Sequence, residues 1–262
     1  MPRYSRALST TGIYHVMVRG VNRMHIFLDN DDKVRFLQTL ARMKSEEEYT
    51  LYGYCIMDNH AHLLIKEEKD SISRTMKRIG VSYSYYFNKK YDRVGHLFQD
   101  RFRSERIESE NYILSCLRYI HNNPVKALIT KEPSDYIWSS YNIYINKAEN
   151  KEEIISPEFA LSIFSENKSK AIEKFKKFSA IDCKEIFIDI YEEEEDIEKI
   201  QREKIKEILK GYNLKLEDLP KLKDRNIRTE IIREIGDNIS ISTREMANLI
   251  GLSKSTIARI LK

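Results

Sequence analysis

Residues 12–23, "GIYHVMVRGVNR", alternate: Tyr14, Val16 and Val18 fall on one face of an extended chain and His15, Met17 and Arg19 on the other. This predicts a half-buried strand that ends in a polar, basic turn. "DNDDKVRFLQTLARMKSEEE" then changes to helical spacing, with Asp31 or Asp32 placed to cap it and Val34, Leu37, Leu40 and Ala41 as the apolar stripe. "YTLYGYCIM" and "HAHLLIKEE" read as a second and a third strand joined at "DN". "SISRTMKRIGVSYSYYFNKKY" returns to helical spacing through Ile72, Met76, Ile79, Tyr83, Tyr86 and Phe87. "GHLFQDRFRSERI" reads as an extended hairpin carrying Arg101, Arg103 and Arg106, and "SENYILSCLRYIHNNP" as a helix capped by Ser109 and stopped by Pro124.

Strand, helix, strand, strand, helix, strand-like hairpin, helix is the order of the split βαβ arrangement. The expected fold class is therefore α+β: a ferredoxin-like antiparallel sheet with helices packed on one face and the other face open for a ligand. Residues 150–195, ending in "YEEEEDIEK", read as an acidic helical connector. From Ile197 onward the pattern is amphipathic and all-α. In "ISTREMANLIGLSKSTIARILK", Ser242 or Thr243 caps one helix, Gly251 makes a turn and Ser253 caps the next, the spacing of a helix-turn-helix. The expected organisation is a sheet domain over 1–149, the connector over 150–195 and a helical domain over 196–262.

Composition changes this picture only through its distribution. The net charge is +4, but residues 1–150 carry 23 Lys and Arg against 18 Asp and Glu, residues 151–195 carry 7 against 12, and residues 196–262 carry 15 against 11. Two basic blocks around an acidic one are what a chain meeting a polyanion at both ends would show. The three cysteines, Cys55, Cys116 and Cys183, are far apart and form no C-x-x-C pair, which argues against a disulfide framework and a thiolate zinc site. With no long apolar span and no signal-peptide core, a cytoplasmic location without membrane contact is expected.

His60 and His62, in "MDNHAHLLI", project to the same face of the third strand, so their imidazoles can converge on one cation. Two neutral imidazoles leave a divalent ion short of ligands. On the helix after Ser109, Tyr119 and Asn123 lie on one flank of the Ile113, Leu117, Ile120 stripe, within a turn of each other. If that flank faces the open sheet, the site holds two imidazoles, an amide oxygen and a phenol. Without such context a His-x-His strand is more often ordinary hydrogen-bonded histidine.

"VMVRGVNRMHIFLDNDD", "YCIMDNHAHLLI", "GHLFQDRFRSERI", "LRYIHNNPVKA" and "WSSY", in this order over roughly residues 1–145, resemble the REP-associated branch of the single-tyrosine HUH transposases. The resemblance implies metal-dependent cleavage and rejoining of single-stranded, hairpin-associated DNA through a 5′-phosphotyrosine intermediate. It implies Tyr119 as nucleophile and His60, His62 and Asn123 as ligands of Mg²⁺ or Mn²⁺. It also implies a monomer rather than a dimer. Arg19, Arg23, Lys66, Arg101, Arg103 and Lys126 are the candidate phosphate contacts around the sheet, each with a solvated surface charge as its alternative. The C-terminal stretch loosely resembles the helix-turn-helix domain of the bacterial replication initiator. If it docks alike, Ser253, Lys254, Ser255, Thr256 and Arg259 face duplex DNA. The rival function is a domesticated transposase acting as a non-catalytic DNA-binding regulator. RNA binding through the sheet is disfavoured because the aromatic strand pattern of RNA-recognition modules is missing.

Overall fold

A computed structural model of the chain describes residues 8–45, 49–148, 154–181, 187, 190–222, 224–239, 241 and 243–261, with backbone alone for 190–200. Ser242, the alternative cap, and Cys183 lie outside the described residues. The chain divides into two compact units, one of residues 1–125 and 130–188, the other of 126–129 and 189–262.

The first unit is built from β1 (Ile13–Arg19), α1 (Asn30–Lys44), β2 (Tyr49–Ile56), β3 (His60–Glu67), α2 (Ile72–Lys90) and β4 (Arg103–Ile107). The strands line up as β2-β3-β1-β4, every neighbouring pair antiparallel, which is the ferredoxin-like order. Alternation along β3 sends Ala61, Leu63 and Ile65 to one face. Tyr49 of β2 lies opposite Glu67 on that face, and its hydroxyl donates to the Leu40 carbonyl of α1 at 2.6 Å. Glu67 in turn accepts from the Ile72 amide at the start of α2. So α1 and α2 cover the face away from the two histidines.

The histidine face is not open. It is covered in part by α3 (Glu110–Lys126). Gly53 permits this: a Cβ there would sit 2.5 Å from Leu117 Cδ2 of α3, far inside van der Waals contact. Three local features also depart from the sequence pattern. Asp29, not Asp31 or Asp32, caps α1, because Asp32 is buried and completes a reciprocal box with it while also meeting Lys90 Nζ at 2.8 Å. The stretch read as a hairpin forms a single strand, β4; the residues before it run as loop, joined to the sheet by a lone bridge between Gly20 and Phe98. Pro124 does not stop its helix, which runs on to Lys126; only the bond its nitrogen would have donated is lost, in the last turn. Ser109 does cap the helix, accepting from the Tyr112 amide.

The first unit continues through α4 (Tyr141–Tyr144), α5 (Pro157–Ser162) and α6 (Lys168–Ser179). Phe175 of α6 is buried and stacks on Tyr144 with centroids 4.8 Å apart, and the Ser156 amide donates to the Leu51 carbonyl. Residues 154–181 thus belong to the packed body of this unit. The second unit comprises α7 (Ile190–Gly211), α8 (Arg225–Asn238), α9 (Thr243–Ile250) and α10 (Lys254–Ile260) around a core that includes Ile231, Ile235, Met246, Ile250 and Ile257. Gly251, at φ +70°, makes the turn between α9 and α10, and Ser253 caps α10 by accepting from the Thr256 amide. Among the described residues no helix is long and apolar enough to cross a membrane.

Candidate functional site

The antiparallel register sets Arg19 opposite His60 and Met17 opposite His62, so these four side chains share one sheet face. The His60 and His62 rings lie 4.9 Å apart, nearly perpendicular. Each is anchored through Nδ1. His60 Nδ1 donates to Asn59 Oδ1 at 2.5 Å, and His62 Nδ1 lies 3.0 Å from His15 Nε2. Both Nε2 atoms consequently turn the other way, toward α3. There His60 Nε2 is 3.3 Å from Asn123 Oδ1, and Asn123 Nδ2 donates to His62 Nε2 at 3.2 Å. The carboxamide of α3 and the two imidazoles of β3 therefore meet at one point.

Tyr119, one turn before Asn123, packs its ring against the same cluster, with centroids 5.7 Å from His62 and 5.7 Å from His15. Its side chain is wholly buried, at 0% exposure, and Asn123 is at 3%. The flank of α3 that carries them is thus interior. What covers Tyr119 is Phe187, stacked on it at 4.4 Å and on Tyr112 at 5.5 Å. On the far side of His15, its Nδ1 lies 3.8 Å from Glu105 Oε2 of β4.

The donor set fits a divalent cation. Among the described residues no group of three His, Cys, Asp or Glu side chains is placed to hold a metal. Here the third donor would be an amide, so the protein would offer neutral ligands from two elements, with the remaining positions left to water or other oxygen donors.

The basic candidates separate. Arg19 is buried beside His60, and Arg103, opposite Met17, is half-buried on the same face. Arg23, half-buried at φ +58°, and the exposed Arg101 lie on the loops after β1 and before β4, at the His60 end of the sheet. Lys66 is six residues along β3 from His60, about 20 Å away at strand rise. It pairs with Glu68 at 3.1 Å, and that hydrogen bond raises its pKa. Lys126 ends α3, three residues beyond Asn123. In the second unit Ser253, Lys254, Ser255 and Arg259 are exposed and Thr256 is half-buried. Tyr83 and Phe87 are core residues, and Tyr86 is half-buried.

The sequence pattern missed four residues at the site: His15, Asn59, Glu105 and Phe187. Alternation does place His15 on the Arg19 face of β1, but only the pairing with β3 shows that His62 is its neighbour.

Residues 9–123 match the family model described as "Transposase IS200 like". None of the curated proteins compared with the chain matches it. Among solved structures the chain is similar to a REP-associated tyrosine transposase bound to a REP hairpin, at 20% identity and a TM-score of 0.49, over 56% of this chain and 87% of that one.

Proposed function

We propose that the chain, with its IS200-like transposase match over residues 9–123, is a DNA strand transferase that cuts and rejoins single-stranded, hairpin-associated DNA through Tyr119. The observation that carries this reading is the junction of β3 and α3: a phenol packed against His62, one of two imidazoles that converge on the carboxamide carried by the same helix. The Tyr119 oxygen attacks the scissile phosphorus, loses its proton, and takes over the 5′-phosphate as the 3′-hydroxyl departs. A second strand's 3′-hydroxyl reverses the exchange, because the phosphotyrosyl bond conserves the energy of the phosphodiester.

A phenol of ordinary pKa, about 10, is a weak nucleophile near neutrality. His60, His62 and Asn123 would hold Mg²⁺ or Mn²⁺, which when bound withdraws charge from a phosphate oxygen. Asn59 keeps His60 turned toward that point, and Arg19 brings a fixed positive charge to the phosphate beside it. Arg23, Arg101, Arg103 and Lys126 extend the positive surface along the strand, with Lys66 at its distant end. In the second unit α9, the Gly251 turn and α10 act as a helix-turn-helix on duplex DNA, through Ser253, Lys254, Ser255, Thr256 and Arg259. The chain works as a cytoplasmic monomer.

Incubation with a pool of single-stranded hairpins and Mg²⁺ or Mn²⁺ tests the proposal. A covalent DNA adduct that survives denaturation is expected, and Tyr119→Phe should lower its yield at least about a thousandfold, as removal of a covalent nucleophile does. DNA bound without any adduct in either metal would instead identify a regulator.

A further inference from the structure

We propose that His15, backed by Glu105, sets the tautomer and ring orientation of His62 so that Nε2 is its ligating nitrogen. This rests on the reading of His62 as a metal ligand and adds two residues that act on it from behind.

His15 is fully buried on β1, on the face that carries His62, and the two rings lie at 30° with centroids 5.2 Å apart. Its Nε2 is 3.0 Å from His62 Nδ1. A neutral imidazole has one N–H, so in this contact one ring must donate and the other accept. Glu105 decides which. It is the direct cross-strand partner of His15, and its Oε2 lies 3.8 Å from His15 Nδ1. At that distance the effect is of charge on dipole rather than a hydrogen bond. A carboxylate favours the His15 tautomer with the proton on Nδ1. Tyr112 holds the carboxylate by donating its hydroxyl to the other oxygen.

His15 Nε2 then carries the lone pair, and His62 must donate from Nδ1. The His62 Nε2 lone pair is left facing Asn123, where the amide nitrogen already donates to it. The opposite tautomer would aim an N–H at the cation position. His60 reaches the same state by a shorter route, through Asn59. His15 is not itself a third imidazole ligand: its Nε2 meets the back of His62, on the side of that ring opposite Asn123. It is a positioning residue, of the kind that commonly orients metal-binding histidines.

The test uses the full chain with ¹⁵N-labelled histidine. Long-range ¹H–¹⁵N correlation spectra without metal report the His62 tautomer, and calorimetric titration reports Mn²⁺ affinity. In the wild type His62 should carry its proton on Nδ1. His15→Phe should lower the Nδ1–H population, leaving only the Asn123 amide to favour it, and weaken Mn²⁺ binding about 10–100-fold. His15→Gln, whose carboxamide oxygen accepts from Nδ1–H, should restore both to within about threefold of wild type. Glu105→Gln should shift the tautomer in the same direction by less.

An Nδ1–H tautomer unmoved by His15→Phe overturns the proposal, as does equal loss of Mn²⁺ affinity in the Phe and Gln variants. If His15→Phe does not fold, Glu105→Gln decides: a His62 tautomer identical to wild type overturns it. Should the wild type bind no Mn²⁺ while the tautomers respond as described, the positioning stands and the metal reading above fails.

Discussion

Burial pushes the His121 imidazole down to about 3, while its Nε2 shares a 2.7 Å hydrogen bond with Ser140 Oγ. The ring stays neutral when folded and gains a proton readily only when unfolded. Its contribution to stability is full above about pH 6.5 and is lost as the pH falls toward about 3, roughly 2 kcal/mol of it by pH 5. Urea titrations at several pH values should show a shallower acid slope in His121→Gln than in the wild type. Tyr119 is buried for a different reason, under the ring of Phe187. Aqueous nitration of the metal-free protein should spare Tyr119, and Phe187→Ala should raise its labelling several-fold, read by peptide mass spectrometry. The site residues differ in how far the chain betrays them. His60 and His62 are legible because a period of two is local, and Tyr119 and Asn123 because one helical turn is local. His15 and Glu105 acquire meaning only through strand register, and Phe187 is more than sixty residues from the ring it covers, so no local pattern connects them.

At the level of elements, periodicity located β1, β2, β3, α2 and α3, although β1, read as half-buried, is buried on both faces, as are β2 and β3 over most of their length. It could not say against what. The stripe of α3 requires a partner surface, and the choice of the histidine face depends on Gly53, whose missing side chain admits Leu117. Gly53→Ala should therefore cost about 1–3 kcal/mol in chemical denaturation, the usual range for overfilling a packed contact. Pro124 misleads in the same way. A proline is a stop signal in an isolated peptide, whereas here one absent donor in the last turn is outweighed by the burial of α3 from Ile113 to Pro124. The arginine-rich run before β4 alternates enough to look like two strands, but only Arg103–Ile107 finds a neighbour along β1.

Across the whole molecule, the charge blocks and the fold divide the chain differently. The acidic stretch read as a spacer contributes residues 154–181 to the first unit, and the second unit takes residues 126–129 and 189–262. Apart from Lys126, which groups with the second unit, the residues of the two proposed DNA surfaces lie on separate units, so the surfaces should be separable by mutation. Lys254→Ala with Arg259→Ala should weaken duplex binding by about tenfold or more and flatten its salt dependence by about two counterions, measured by fluorescence anisotropy. Adduct formation on single strands should be unchanged.

The joint occupancy of α3 has one more consequence. Asn123 and Tyr119 ride on the same rigid rod, about one turn apart. Under the proposed mechanism, whatever pulls the phenol out of register would also strip the cation of a ligand, so the weapon and its trigger would be loaded or disarmed together, and tight ion retention would gauge readiness to strike.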